Sequence, residues 1–100
     1  MRYKLLGNSG VRVSELALGT MTFGDKNGDG VCDKTTSRAL FDTFLEVGGT
    51  FIDTANGYTG GTSENYLGEF MASTKERERF VIATKYSGTD RLRRTTRRKR

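Results

Sequence analysis

The stretch TFIDTANGY, residues 50–58, runs from β-branched and aromatic residues into an aspartate, and FVIATK, residues 80–85, runs likewise into a lysine. Short runs of this composition, bounded by turn-forming or charged residues, read as strands: Thr50-Phe51-Ile52-Asp53 and Phe80–Lys85. Between them a helix is expected from about Ser63 to Thr74, with Leu67, Phe70 and Met71 as its buried stripe. Upstream, Leu40, Phe41, Phe44 and Leu45 fall on one face of another helix. That helix starts near Asp33–Thr36, where an Asp or Thr side chain can accept free backbone N–H groups, and stops at Gly48-Gly49. Earlier still, Leu16-Ala17-Leu18 within Glu15–Gly19 reads as a strand buried on both faces, and Thr20–Lys34 as a loop. Arg2–Leu6 and Val11–Ser14 flank the turn-forming Gly7-Asn8-Ser9-Gly10 and read as a hairpin. The order hairpin, β, α, β, α, β predicts an α/β fold whose parallel strands are joined by right-handed crossovers.

Composition narrows the chemistry. The 100 residues suit one modest domain, and 34% apolar with 29% charged residues is a globular balance. No apolar run approaches the ~18–20 residues of a membrane span, and the N-terminus has no signal-peptide pattern. Cys32 is the single cysteine and histidine is absent. His-based zinc sites, Ser-His-Asp triads and disulfide scaffolds are thereby excluded, and a reduced, cytoplasmic setting is expected. The net charge of +5 is unevenly placed. Residues 91–100, RLRRTTRRKR, hold seven of the seventeen basic residues and no acid, so residues 1–90 carry ten basic against twelve acidic side chains. The chain is a mildly acidic body with a basic tail.

Three polar residues stand where parallel α/β enzymes keep their chemistry. Asp53 closes one strand, Tyr58 follows in its loop, and Lys85 closes the next strand. Side chains alternate along a strand, so Asp53 shares a face with Phe51, and Lys85 with Val81 and Ala83. On adjacent strands the two would meet at the C-terminal rim of a barrel. A free phenol, with a pKa of roughly 10, is a poor proton donor near neutrality. A nearby ammonium favours phenolate, and a carboxylate keeps that ammonium charged and aimed. Tyr58 could then protonate a carbonyl oxygen as hydride reaches the carbon. Spacing alone leaves a second reading open, since an Asp and a Lys at strand ends commonly form an ordinary ion pair.

The stretches MRYKLLGNSGVRVSELALGTMTFG, FIDTANGY, GTSENYLGEF and FVIATKYS resemble the N-terminal third of an aldo/keto reductase, in order and spacing. The nearest branch by resemblance is the bacterial reductases akin to potassium-channel β subunits. The resemblance covers residues 1 to about 88 and implies a hairpin followed by the first three βα-type units of a (β/α)8 TIM barrel. It implies NADPH-dependent reduction of a small aldehyde or ketone. Tyr58 matches the proton donor, and Asp53 and Lys85 its two supporting residues. Gly19, Thr20 and Met21 match the loop beside the nicotinamide end of NADP(H), and Asp53 also contacts its ribose. Ser63-Glu64 and Leu67-Gly68 match the start and packing face of the following helix, with a structural role.

Departures are equally plain. The family's fourth catalytic residue is a histidine, which this chain lacks, and a complete barrel needs ~250 residues. The expectation is a truncated reductase with little or no turnover alone: residues 1–88 as the partial reductase domain and 89–100 as a disordered basic tail. Three rival signals remain. Asp25–Thr36, DKNGDGVCDKTT, has calcium-loop acceptors at Asp25, Asn27, Asp29 and Asp33 and a turn glycine at Gly30. It places Thr36 where a glutamate is required, so a solvated loop is the favoured reading. The tail could bind nucleic acid as a noncatalytic module, but without interleaved aromatics such binding would be nonspecific. Cys32 lies among opposing charges, Lys34 against Asp29 and Asp33, and reads as an incidental thiol.

Overall fold

In a computed structural model, which describes residues 1–24 and 32–86, the chain forms a β-hairpin followed by a three-stranded parallel sheet backed by two helices. β1 (Tyr3–Leu5) pairs antiparallel with β2 (Arg12–Ser14), Lys4 lying opposite Val13. β3 (Ala17–Gly19), β4 (Phe51–Asp53) and β5 (Val81–Ala83) follow in sheet order β3-β4-β5, all parallel. α1 (Lys34–Glu46) crosses from β3 to β4, and α2 (Thr62–Thr74) crosses from β4 to β5. This is the expected α/β beginning of a barrel, with its three strands forming an open sheet.

Local chemistry sets the element ends. Asp33 caps α1, its Oδ1 accepting the Thr36 N–H at 2.8 Å. At the other end Gly48 takes a φ of 90°, and its carbonyl accepts the Tyr3 hydroxyl, fastening the hairpin beneath the sheet. Ser14 strengthens that attachment. Its hydroxyl accepts the Thr50 and Phe51 N–H groups, and its own N–H donates to Thr50 Oγ1.

The core gathers Phe23, Phe41, Ile52, Leu67, Phe70, Met71 and Phe80 between sheet and helices. Phe41 is its hub: fully buried, with ring centroids 5.5 Å from Phe70 and 5.6 Å from Phe80. Burying such a side chain contributes about 1.5–3 kcal/mol, and each ring pair adds about 0.5–1.5 kcal/mol. The predicted stripe of α2 is buried as expected, at Leu67, Phe70 and Met71.

Four sequence readings need correction. β3 is not buried on both faces: Ala17 and Gly19 are exposed and Leu16 is 66% exposed. It is the outer strand of the sheet, with one paired edge among the described residues. On α1, Leu40 is exposed while its neighbour Phe41 takes the buried position, because one residue is a turn of ~100° about the helix axis. β5 stops at Ala83, two residues before Lys85. Finally, residues 77–79 form a short 3-10 turn that periodicity did not suggest. Most of the calcium-loop stretch and the whole basic tail lie outside the described residues. No helix among the described residues is long and apolar enough to cross a membrane.

Candidate active site

Register brings the site together. Gly19, Asp53 and Ala83 lie side by side across β3, β4 and β5, so the three C-terminal strand ends form one rim. Hydrogen bonds continue past the strands: Thr20 N–H reaches Asp53 O at 3.1 Å, Thr54 N–H reaches Ala83 O at 2.8 Å, and Asn56 N–H reaches Lys85 O at 2.9 Å. These bonds carry Lys85 to the rim although it stands beyond β5.

Lys85 Nζ has three partners. It donates to Asp53 Oδ1 at 2.8 Å and to the Thr54 carbonyl at 2.9 Å, and stands 3.4 Å from the Tyr58 hydroxyl. Asp53 and Lys85 side chains are about half exposed, at 44% and 49%. The hydrogen bond to Asp53 is the main reason that the Lys85 ammonium is held above the ordinary lysine value of 10.5; desolvation opposes it, and Tyr58 adds to it. A lysine in this setting stays protonated throughout the neutral range. The rim therefore presents a positive charge beside a phenol oxygen, at a distance long for a hydrogen bond.

Beneath the rim lies a buried hydroxyl network that sequence reading did not find. Ser63 Oγ is fully buried and lies 2.8 Å from Thr20 O, 2.9 Å from Thr20 Oγ1 and 3.3 Å from Thr54 Oγ1. Thr20 Oγ1 in turn donates to the Asp53 carbonyl at 3.1 Å. The network thus joins the loop after β3, the start of α2 and the backbone of Asp53. Glu64, beside Ser63, accepts the Thr84 hydroxyl at 2.5 Å and steadies the approach to Lys85.

The residues singled out for cofactor contact differ in exposure. A Cβ built on Gly19 would meet nothing within 4 Å, and Met21 is 63% exposed, so both border open space. Thr20 is fully buried within the network, where its side chain holds Asp53's backbone. Among the described residues, no cluster of His, Cys, Asp or Glu could hold a metal ion. Asp33 commits its carboxylate to capping α1, and Cys32 Sγ is 4.0 Å from Thr22 Oγ1.

A charged lysine between an aspartate and a tyrosine, at the C-terminal rim of parallel strands, is the arrangement the family resemblance implies. The profile of the Aldo/keto reductase family matches residues 15–100. The chain belongs to the aldo/keto reductase family. As a member it is similar to norsolorinic acid reductase of Aspergillus flavus, at 52% identity over 85 residues covering 83% of this chain and 22% of that protein. It is similar to the aryl-alcohol dehydrogenase [NADP(+)] of Phanerodontia chrysosporium, at 46% identity over 87 residues covering 84% and 23%. Among solved structures, the holo form of aldo-keto reductase AKR11C1 from Bacillus halodurans matches with TM-score 0.70 and 33% identity over 84% of this chain and 25% of that one. A thermostable aldo-keto reductase solved with the inhibitor epalrestat matches with TM-score 0.73 and 32% identity over 86% and 31%. The chain thus spans less than a quarter of the length of these curated relatives. The family match begins inside the body, after the hairpin, and runs through residue 100.

Proposed function

We propose that this chain supplies the proton-donating side of an NADPH-dependent reduction of an aldehyde or ketone to an alcohol. The single observation behind this reading is the position of Lys85 Nζ, 2.8 Å from Asp53 Oδ1 and 3.4 Å from the Tyr58 hydroxyl. In the proposed step, the Tyr58 hydroxyl donates its proton to the carbonyl oxygen of the substrate. Lys85, kept charged by Asp53, stabilises the negative charge left on the phenol oxygen. Asp53 and the Thr54 carbonyl fix the direction of the Lys85 ammonium, so the charge is in place before reaction. NADPH, when bound, supplies the hydride.

The residues at the rim fit the nicotinamide end of that cofactor. Gly19 leaves its surroundings open, Met21 offers an exposed apolar side chain, and Asp53 Oδ2 takes no hydrogen bond from a described residue. Gly19, Met21 and Asp53 would hold the ring and ribose, with Thr20 acting through the position of its backbone. In our reading residues 1–88 carry the reductase site and 89–100 form a basic tail inside the family match, which runs through residue 100, and the chain acts in the cytoplasm as the single cysteine suggests. The names of the relatives favour an aromatic carbonyl substrate.

The test uses a chimera in which residues 1–88 replace the corresponding segment of a curated relative. It should oxidise NADPH with an aromatic aldehyde, and Tyr58→Phe should lower kcat by about 10²–10⁴. A Tyr58→Phe chimera with unchanged kcat would refute the reading. The 100-residue chain by itself should show little turnover.

A further inference from the structure

Tyr58 is followed by a turn with an unusual backbone. Thr59, Gly60 and Gly61 have φ of 47°, 67° and 98°, three successive residues in the left-handed region. Glycine enters that region freely, whereas a β-branched residue there is a true outlier, and such strain persists only where surrounding contacts impose it. At Thr59 the contacts can be named. Its side chain is buried, and Oγ1 donates toward the Phe23 carbonyl and toward the carbonyl of Tyr58 itself, each at 2.7 Å. One hydroxyl proton therefore serves both the catalytic turn and the loop after β3.

The other side of the contact is equally close. Gly24 takes a φ of 126°, and a Cβ built on it would lie 2.5 Å from Thr59 Oγ1 and 2.8 Å from Thr59 Cβ. The missing side chain at Gly24 is the space that Thr59 fills. Phe23, the acceptor's residue, belongs to the core and is 1% exposed, so the anchor point is packed on all sides. Tyr58, by contrast, is only half buried, and its hydroxyl meets Lys85 at the long distance of 3.4 Å. Its own N–H bond to the Ala55 carbonyl, at 3.2 Å, is also long. The next residue's side chain thus holds the Tyr58 backbone carbonyl, from which the ring departs.

We propose that Thr59 is a positioning residue: locked against Phe23 and Gly24, it holds the Tyr58 phenol against the Lys85 ammonium and ties the loop after β3 to the proton donor. The proposal rests on the reading of Tyr58 as that donor for its functional meaning, but its geometry can be tested without turnover. Three variants of the full chain separate hydroxyl, shape and strain. Thr59→Ser keeps the hydroxyl. Thr59→Val keeps the shape and removes the hydroxyl. Thr59→Gly removes both and relieves the strained φ.

The readout is the NMR cross-peak set between the Tyr58 ring protons and the Lys85 ε-methylene, assigned with Tyr58→Phe, with far-UV circular dichroism to follow the fold. The cross-peaks should survive in Thr59→Ser and be lost in Thr59→Val and Thr59→Gly while both remain folded. Wild-type cross-peaks in Thr59→Val or Thr59→Gly would overturn the proposal. Loss of the fold in both would also overturn it, assigning Thr59 to stability instead. If the chimera of the preceding section ignores Tyr58→Phe yet the cross-peaks follow Thr59 as expected, the functional reading fails and the positioning role stands.

Discussion

Replacing Ser63 with alanine probes the network beneath the rim. The Ser63 hydroxyl is fully buried and donates toward Thr20, 2.8 Å from its carbonyl, with Thr54 Oγ1 at 3.3 Å on its other side. Alanine removes one net hydrogen bond, about 1 kcal/mol, and leaves the Thr54 hydroxyl, 2% exposed, without an acceptor, a further ~1–3 kcal/mol. The Thr20 carbonyl keeps the Phe23 N–H at 3.1 Å, so no second buried group is orphaned. The expected loss is about 2–4 kcal/mol, a large part of the ~5–15 kcal/mol typical of a domain. Adding Thr54→Val removes the orphan with little change of shape. The double variant should therefore recover about 1–2 kcal/mol relative to Ser63→Ala alone. Urea unfolding followed by far-UV circular dichroism measures both, with the m-value as a check that the same surface unfolds. A Ser63→Ala loss below about 1 kcal/mol, or strict additivity in the double variant, would refute the hydroxyl network as drawn.

Two further predictions concern stability. Phe41→Ala empties the centre of the core and should cost about 3–5 kcal/mol in the same urea assay; a loss under ~2 kcal/mol would show that α1 is not held through this ring. The pH profile of stability should fall at both ends, for opposite reasons. The Thr36 backbone N–H holds the Asp33 carboxyl below its ordinary 3.8, so its contribution is present above that value and lost as pH falls through the folded pKa. Lys85 is held above 10.5, so its contribution is complete below that value and lost as pH rises through the folded pKa. Thermal melts across pH should show the acid loss shrink in Asp33→Ala and the alkaline loss shrink in Lys85→Met. Unchanged profiles would remove these two groups from the explanation.

The linear sequence was sufficient for the element order. β-branched runs ending at Asp53 and near Lys85, and apolar residues at helical spacing on α1 and α2, reflect neighbours within a few residues, which periodicity records directly. It also presented the residue types of the candidate site, because Asp53 ends β4 and Tyr58 and Lys85 follow within five residues of the ends of β4 and β5. Exposure was less legible. Leu16 and Leu40 look like core residues, yet face solvent because β3 is an outer strand and α1 presents only one face to the sheet. What only the tertiary structure decided is how distant segments meet. Ser63 reaches Thr20 across 43 positions and Thr59 reaches Phe23 across 36, contacts between ordinary hydroxyl residues that no local pattern distinguishes. These contacts join the loop after β3 to the turn after β4 and the start of α2, segments brought together by the packing of adjacent parallel strands, and side-chain periodicity along the chain carries no information about such a partner.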